Sequence, residues 1–176
     1  GTPTMGGVVI ILATVVAWLI GALVVGAGPS WSGLLLVFLF VGLGVIGLLD
    51  DGIKIMRQRS LGLHPSGKII GQVAVASIFA LGTLIKPNEF GEYPGTLAIS
   101  FARPTALTLG FAGLGLGIAL YLIWTNLIVT AWSNATNLTD GLDGLAAGVS
   151  IFVFGAYTFI TYFQRIQACT QLGANP

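Results

Sequence analysis

No charged residue occurs between Gly1 and Leu49, between Pro104 and Thr139, or between Gly144 and Gln164. A fourth uncharged interval, Ile69 to Ile85, is 17 residues long. A helix that crosses a bilayer needs about 20 apolar residues, with about 17 as the lower end. These intervals therefore predict spanning helices, two of them in the first interval. A soluble bundle of buried helices would need a polar stripe on each outer face, and these segments have none. Charged residues make up only 7% of the 176, against about a quarter in ordinary soluble domains. The fold class is all-α: a polytopic membrane helix bundle with about five transmembrane helices.

The spans are expected at about 5–26, 31–50, 68–85, 106–130 and 145–164, within a few residues at each end. The stretch GAGPSWSG divides the first two, because glycine and proline break a helix and Ser30 or Ser32 can cap the next one. GEYPGT suggests turns or a short hairpin. After the second span come Lys54, Arg57, Arg59, His64 and Lys68, whereas the Lys86–Arg103 loop balances two cations with Glu89 and Glu92. The bias of basic residues toward the cytoplasm places the Asp50 side there. Alternation then puts GTPTMGG at 1–7, the Asp50–Lys68 region and the Asn134–Gly144 region on that same face.

Asp50 and Asp51 stand at the end of a long apolar run. Carboxylates at such depth are costly unless paired, hydrated or bound to a cation. Lys54 follows at the four- and three-residue spacings that meet on a helix. With the helix ending at 50, the acids would oppose its dipole, which calls for Lys54 or a divalent metal beside them. A second polar group, Asn134, Asn137, Asp140 and Asp143, recurs every three residues in NATNLTDGLDGLA. On a helical turn it forms a stripe of amides and carboxylates suited to one polar ligand, such as the base and ribose of a nucleotide. The bland alternatives are an interfacial ion pair for the first group and Asx turns or interhelical bonds for the second.

Several classes of function fall away. A formal charge of +1 with scattered cations gives no basic field for nucleic acid. Cys169 is the single cysteine and His64 the single histidine, too few for a zinc ligand set. Magnesium, which takes oxygen ligands and keeps water or substrate phosphate in its shell, fits the carboxylates better. Asn126, inside an apolar run, reads as interhelical glue. Trp31 and Trp132 are placed as interfacial anchors. A transporter would set its polar groups near midplane, and here they lie at helix ends, where chemistry at the interface is favoured.

Three stretches, GTPTMGG at 1–7, GLLDDGIKI at 47–55 and NATNLTDGLDGLA at 134–146, together resemble the phospho-N-acetylmuramoyl-pentapeptide-transferase family of bacteria. The resemblance implies one integral membrane transferase domain over 1–176, part of a ten-helix fold in the plasma membrane with its active face cytoplasmic. It implies transfer of phospho-N-acetylmuramoyl-pentapeptide from UDP to undecaprenyl phosphate, giving lipid I and UMP with magnesium as cofactor. Asp50 and Asp51 would be catalytic. Lys54, Lys68, Asn134, Asn137, Asp140 and Asp143 would bind substrate, Lys68 by the loosest alignment. UDP-N-acetylmuramoyl-pentapeptide, undecaprenyl phosphate and membrane lipid are the implied partners, and a homodimer is compatible with them. The family's third catalytic aspartate, its magnesium ligand, and its histidine-rich loop belong to a later half not found in these residues, so no metal ligand is assigned. The chain accordingly reads as an internal piece of a longer protein, inactive alone. The readings to set against this one are a sister transferase using UDP-N-acetylglucosamine and a membrane transport or scaffold protein.

Overall fold

A computed structural model describes residues 6–26, 28–58, 62–88, 91–100, 104–139 and 144–171. The elements in order are α1 (Gly6–Val24), α2 (Trp31–Arg57), α3 (Pro65–Ile85), β1 (Ala98–Ser100), β2 (Pro104–Thr108), a 3-10 turn (Leu109–Ala112), α4 (Leu114–Thr139) and α5 (Leu145–Gln171). Among the described residues, five helices are long and apolar enough to cross a membrane. The chain forms two compact units, residues 1–131 and 132–176, with the boundary inside α4.

In the first unit α2 is the central helix, packing on α1 and on α3. Ser30 starts it: the Ser30 hydroxyl accepts a 3.1 Å bond from the Gly33 N–H, an N-cap that satisfies one of the orphan donors of the first turn. Among the described residues the buried apolar ones are Leu35 and Ile46 of α2 and Ala76 and Ala80 of α3, with Leu35 beside Gly82 and Ile46 beside Gly71 of α3. Small residues set the approach distance. A Cβ at Gly42 would lie 2.7 Å from Val75 Cγ1, so any larger residue would push α2 and α3 apart. The outward faces are apolar, with Val9 of α1 67% and Ile70 of α3 68% exposed, the pattern of helices that face lipid.

Two boundaries differ from expectation in ways that matter for the site. The second helix runs past 50 to Arg57 and ends at Gln58 in the left-handed region, φ 47°. Asp50, Asp51 and Lys54 are thus on regular helix, and Lys54 and Arg57 occupy its last turn, where cations complement the helix dipole. The carboxylates do not terminate the helix, which corrects the dipole argument made from a boundary at 50. The third helix begins at Pro65, not at 68, because proline fits the first helical position, where its missing N–H costs nothing. His64 precedes it, its Nδ1 2.7 Å from Ser66 Oγ.

The expected helix at 106–130 is displaced to Leu114–Thr139. Residues 104–108 are instead strand β2, antiparallel to β1 with Ala98 opposite Thr108 and Ser100 opposite Pro104. The β-branched Thr105 and Thr108 suit a strand. Leu109 N–H then bonds Leu97 O at 2.8 Å, and the Thr108 hydroxyl accepts from Gly110 N–H. Polar links cross from α3 to α4: Asn126 Nδ2 donates to Ser77 Oγ at 3.0 Å, and Thr83 Oγ1 lies 2.9 Å from Tyr121 OH. Asn126 is interhelical glue, as its position in an apolar run suggested.

The second unit comprises the last turns of α4 and the whole of α5. Its apolar span is Leu145–Gln164, and the helix continues to Gln171. A cavity of about 330 Å³ lies within this unit, lined by Trp132, Ala135, Thr136, Ala146, Val149 and Val153 among others.

Candidate functional site

The best-formed polar cluster among the described residues is on the last two turns of α2 and the segment entering α3. Asp50 and Asp51 are consecutive, so their side chains leave the helix about 100° apart, and Lys54 bridges them from the next turn. Lys54 Nζ lies 2.7 Å from Asp50 Oδ2 and 3.0 Å from Asp51 Oδ1. These are the lengths of charge-assisted hydrogen bonds.

The two acids are not equivalent. Asp50 is buried, 9% exposed, and both of its oxygens are engaged. Oδ2 takes Lys54, and Oδ1 accepts the Leu63 backbone N–H at 2.7 Å. Asp50 therefore latches the loop before α3 to the end of α2, and a carboxylate held by a lysine and an amide meets the condition under which a buried charge is tolerated. The Asp51 side chain is 42% exposed. Among the described residues no donor reaches its Oδ2. Asp51 also lines one end of an apolar cavity of about 390 Å³ between α1 and α2, bordered by Ile11, Leu12, Val41, Val45 and Leu48.

Gly62, which no sequence pattern singles out, makes the latch possible. A Cβ there would collide with Asp50 Oδ1 and would lie 2.7 Å from Lys54 Cε. Gly62→Ala is expected to break the Leu63–Asp50 bond. A hydrogen bond to a charged group contributes about 1.5–3 kcal/mol, so the Leu63 amide should exchange with deuterium at least about tenfold faster. Unchanged protection would mean that the loop carries the methyl without releasing Asp50.

Lys68 sits half-buried in the first turn of α3. It makes no hydrogen bond or ion pair with Asp50, yet is near enough to add its positive field there. Asn134 and Asn137 lie on the last turns of α4 in the second unit, one helical turn apart and so on neighbouring positions of one face. Asp140 and Asp143 lie outside the described residues, as do residues 1–5 of the amino-terminal motif. No cluster of three metal-ligating side chains occurs among the described residues. The oxygen of Asp51 that no described residue engages is a hard ligand of the kind magnesium takes, and magnesium commonly uses only one or two carboxylates with water and phosphate. Asp51 alone therefore offers such an ion one ligand, the start of a shell that water and phosphate would have to complete.

Residues 32–173 match the family described as glycosyl transferase family 4. Proteins named phospho-N-acetylmuramoyl-pentapeptide-transferase are similar over almost the whole chain. That of Beutenbergia cavernae is 55% identical over 98% of this chain and 48% of its own length. That of Paenarthrobacter aurescens is 51% identical over 96% and 48%, and that of Streptomyces griseus 46% over 96% and 46%. The chain thus spans about half the length of the curated relatives it matches. No solved structure matches it.

Proposed function

Given that the chain belongs to glycosyl transferase family 4, we propose that its gene product transfers phospho-N-acetylmuramoyl-pentapeptide from UDP to undecaprenyl phosphate, forming lipid I and releasing UMP. The observation that carries this reading is the acid pair bridged by Lys54 at the end of an apolar helix. The acceptor's tail must stay in lipid while a nucleotide sugar arrives from water, and a charged cluster at a helix end meets both needs. The cytoplasmic face of the bacterial plasma membrane is the side on which such a donor is found.

The chemical difficulty is to bring two anions together. The attacking lipid phosphate has a second pKa of about 6, so near neutral pH it is mostly ionised and proton removal supplies little of the rate. The work left to the protein is orientation and charge neutralisation. Asp50, with both oxygens engaged, acts as a positioning residue that fixes Lys54 and the loop at Leu63. Asp51, half-exposed with one oxygen available, is the catalytic carboxylate that faces the reacting groups. Magnesium, held in part by Asp51, would offset charge on the phosphates and polarise the leaving group when bound. The step proposed is direct in-line attack by the lipid phosphate. In the rival covalent route Asp51, with an oxygen that no described residue engages, would be the nucleophile, since Asp50 is tied at both oxygens. Asn134, Asn137, Asp140 and Asp143 would hold the uridine side of the donor, and Lys68 its phosphates.

The test is UMP release by the full-length gene product in detergent with undecaprenyl phosphate and magnesium. Release is expected with UDP-N-acetylmuramoyl-pentapeptide and not with UDP-N-acetylglucosamine. The opposite selectivity would retain the site and move the protein to a sister activity. Folded protein that releases UMP from neither donor would overturn the enzyme reading.

A further inference from the structure

We propose that the end of the α2–α3 pair opposite Asp50 is a binding site for one anionic membrane phospholipid, its acyl chain in the groove between the helices and its phosphate at Lys86. Trp31 and Asp50 are separated along α2 by about 28 Å at 1.5 Å per residue, close to the thickness of the hydrocarbon core. They therefore occupy opposite interfaces of the bilayer. At the Trp31 end a groove of about 530 Å³ runs between α2 and α3, walled by Trp31, Leu34, Phe38, Ile78, Leu81 and Ile85. Its walls carry almost no polar surface, and Ile78 and Ile85 are more than half exposed. Its volume falls within the range of about 300–1,000 Å³ typical of small-ligand sites.

What selects a lipid with a negative headgroup is the mouth of the groove. The Trp31 indole is fixed there, its Nε1–H donating to Gly82 O at 3.1 Å. Lys86 Nζ lies over that ring, 5.3 Å from its centroid, which holds the ammonium at headgroup depth. Among the described residues Lys86 makes no ion pair with a carboxylate. Two helix ends also meet here, the start of α2 and the end of α3. Their partial charges, about half a unit each and opposite in sign, nearly cancel, so the helix ends add little to the charge of Lys86. A packed apolar helix would cover the walls but bring no anion to this cation. A phospholipid supplies the chain and the phosphate in one molecule, at the right depth.

A lysine near a lipid headgroup favours an anionic lipid by about 1 kcal/mol, or roughly fivefold. Native mass spectrometry of the full-length gene product, titrated with phosphatidylglycerol or phosphatidylcholine of the same chain length, reads this directly. Phosphatidylglycerol should be retained roughly fivefold better by the wild-type protein and by Lys86→Arg, and without preference by Lys86→Gln. Leu81→Trp, which fills the groove, should lower retention of both lipids. No preference in the wild type, or a preference that survives Lys86→Gln, overturns the headgroup assignment. Lipid retention unchanged by Leu81→Trp means that another segment of protein covers the groove, and overturns the site.

Discussion

Asp51→Asn in the full-length gene product should lower magnesium-dependent UMP release at least about 100-fold, the loss expected when one charge-stabilising contact is removed from a catalytic site. Membrane insertion and thermal stability should hardly change. Asp51 is half-exposed and its contact with Lys54 spans three residues of one helix, a class of pair that contributes about 0–1 kcal/mol. Asparagine keeps the shape and an acceptor oxygen, so the lost quantity is the charge. Asp50→Asn should behave differently. Its oxygen could still take the Leu63 N–H, but the amide nitrogen would then face Lys54 Nζ, donor against donor, and stability should fall along with rate. Measuring turnover and melting for both variants separates the two roles: a well-folded Asp51→Asn protein of near-normal turnover would remove Asp51 from the chemistry.

The acid pair and its lysine were legible because a helix turns short spacing into contact. Residues 50, 51 and 54 must meet if the segment is helical, whatever the rest of the fold does. The spans were legible for a similar reason, since long uncharged runs leave few alternatives in a bilayer. The hairpin at 98–108 was not, because Thr105 to Thr108 merge into the apolar run of α4 and periodicity alone does not separate a short strand from a helix start. The latch was hidden for another reason. Leu63 contributes a backbone N–H, which any residue except proline would offer, and Gly62 matters only for the space it leaves beside Asp50. Neither leaves a pattern in the sequence. Nor did sequence distinguish Asp50 from Asp51, since burial of one and exposure of the other follow from where the loop before α3 returns at Leu63, thirteen residues after the first acid.

Lys54→Met should cost both activity and stability, and the way the two can be separated tests the division of roles. Lys54 is the shared partner of both acids, so its loss leaves adjacent carboxylates facing each other, one of them buried. Removing one member of a fully buried pair typically costs about 3–5 kcal/mol and of an exposed one about 0–1 kcal/mol; with Lys54 38% and Asp50 13% exposed, and Asp50 keeping its bond to Leu63, a loss between the two is expected. Turnover should fall at least about 100-fold, since the cation that offsets phosphate charge is gone. The double variant Asp50→Asn/Lys54→Met removes the uncompensated charge and keeps an acceptor for Leu63 N–H. Its melting temperature should recover most of the loss, while its turnover should stay as low as that of Lys54→Met. Such a cycle isolates the pair's coupling from either single effect. Recovery of stability without activity would identify Asp50 as the residue that holds Lys54 in place, and Lys54 as the group that meets the substrate. Recovery of both would mean that Lys54 serves only to neutralise Asp50, and the charge offsetting the phosphates would then have to come from elsewhere in the protein.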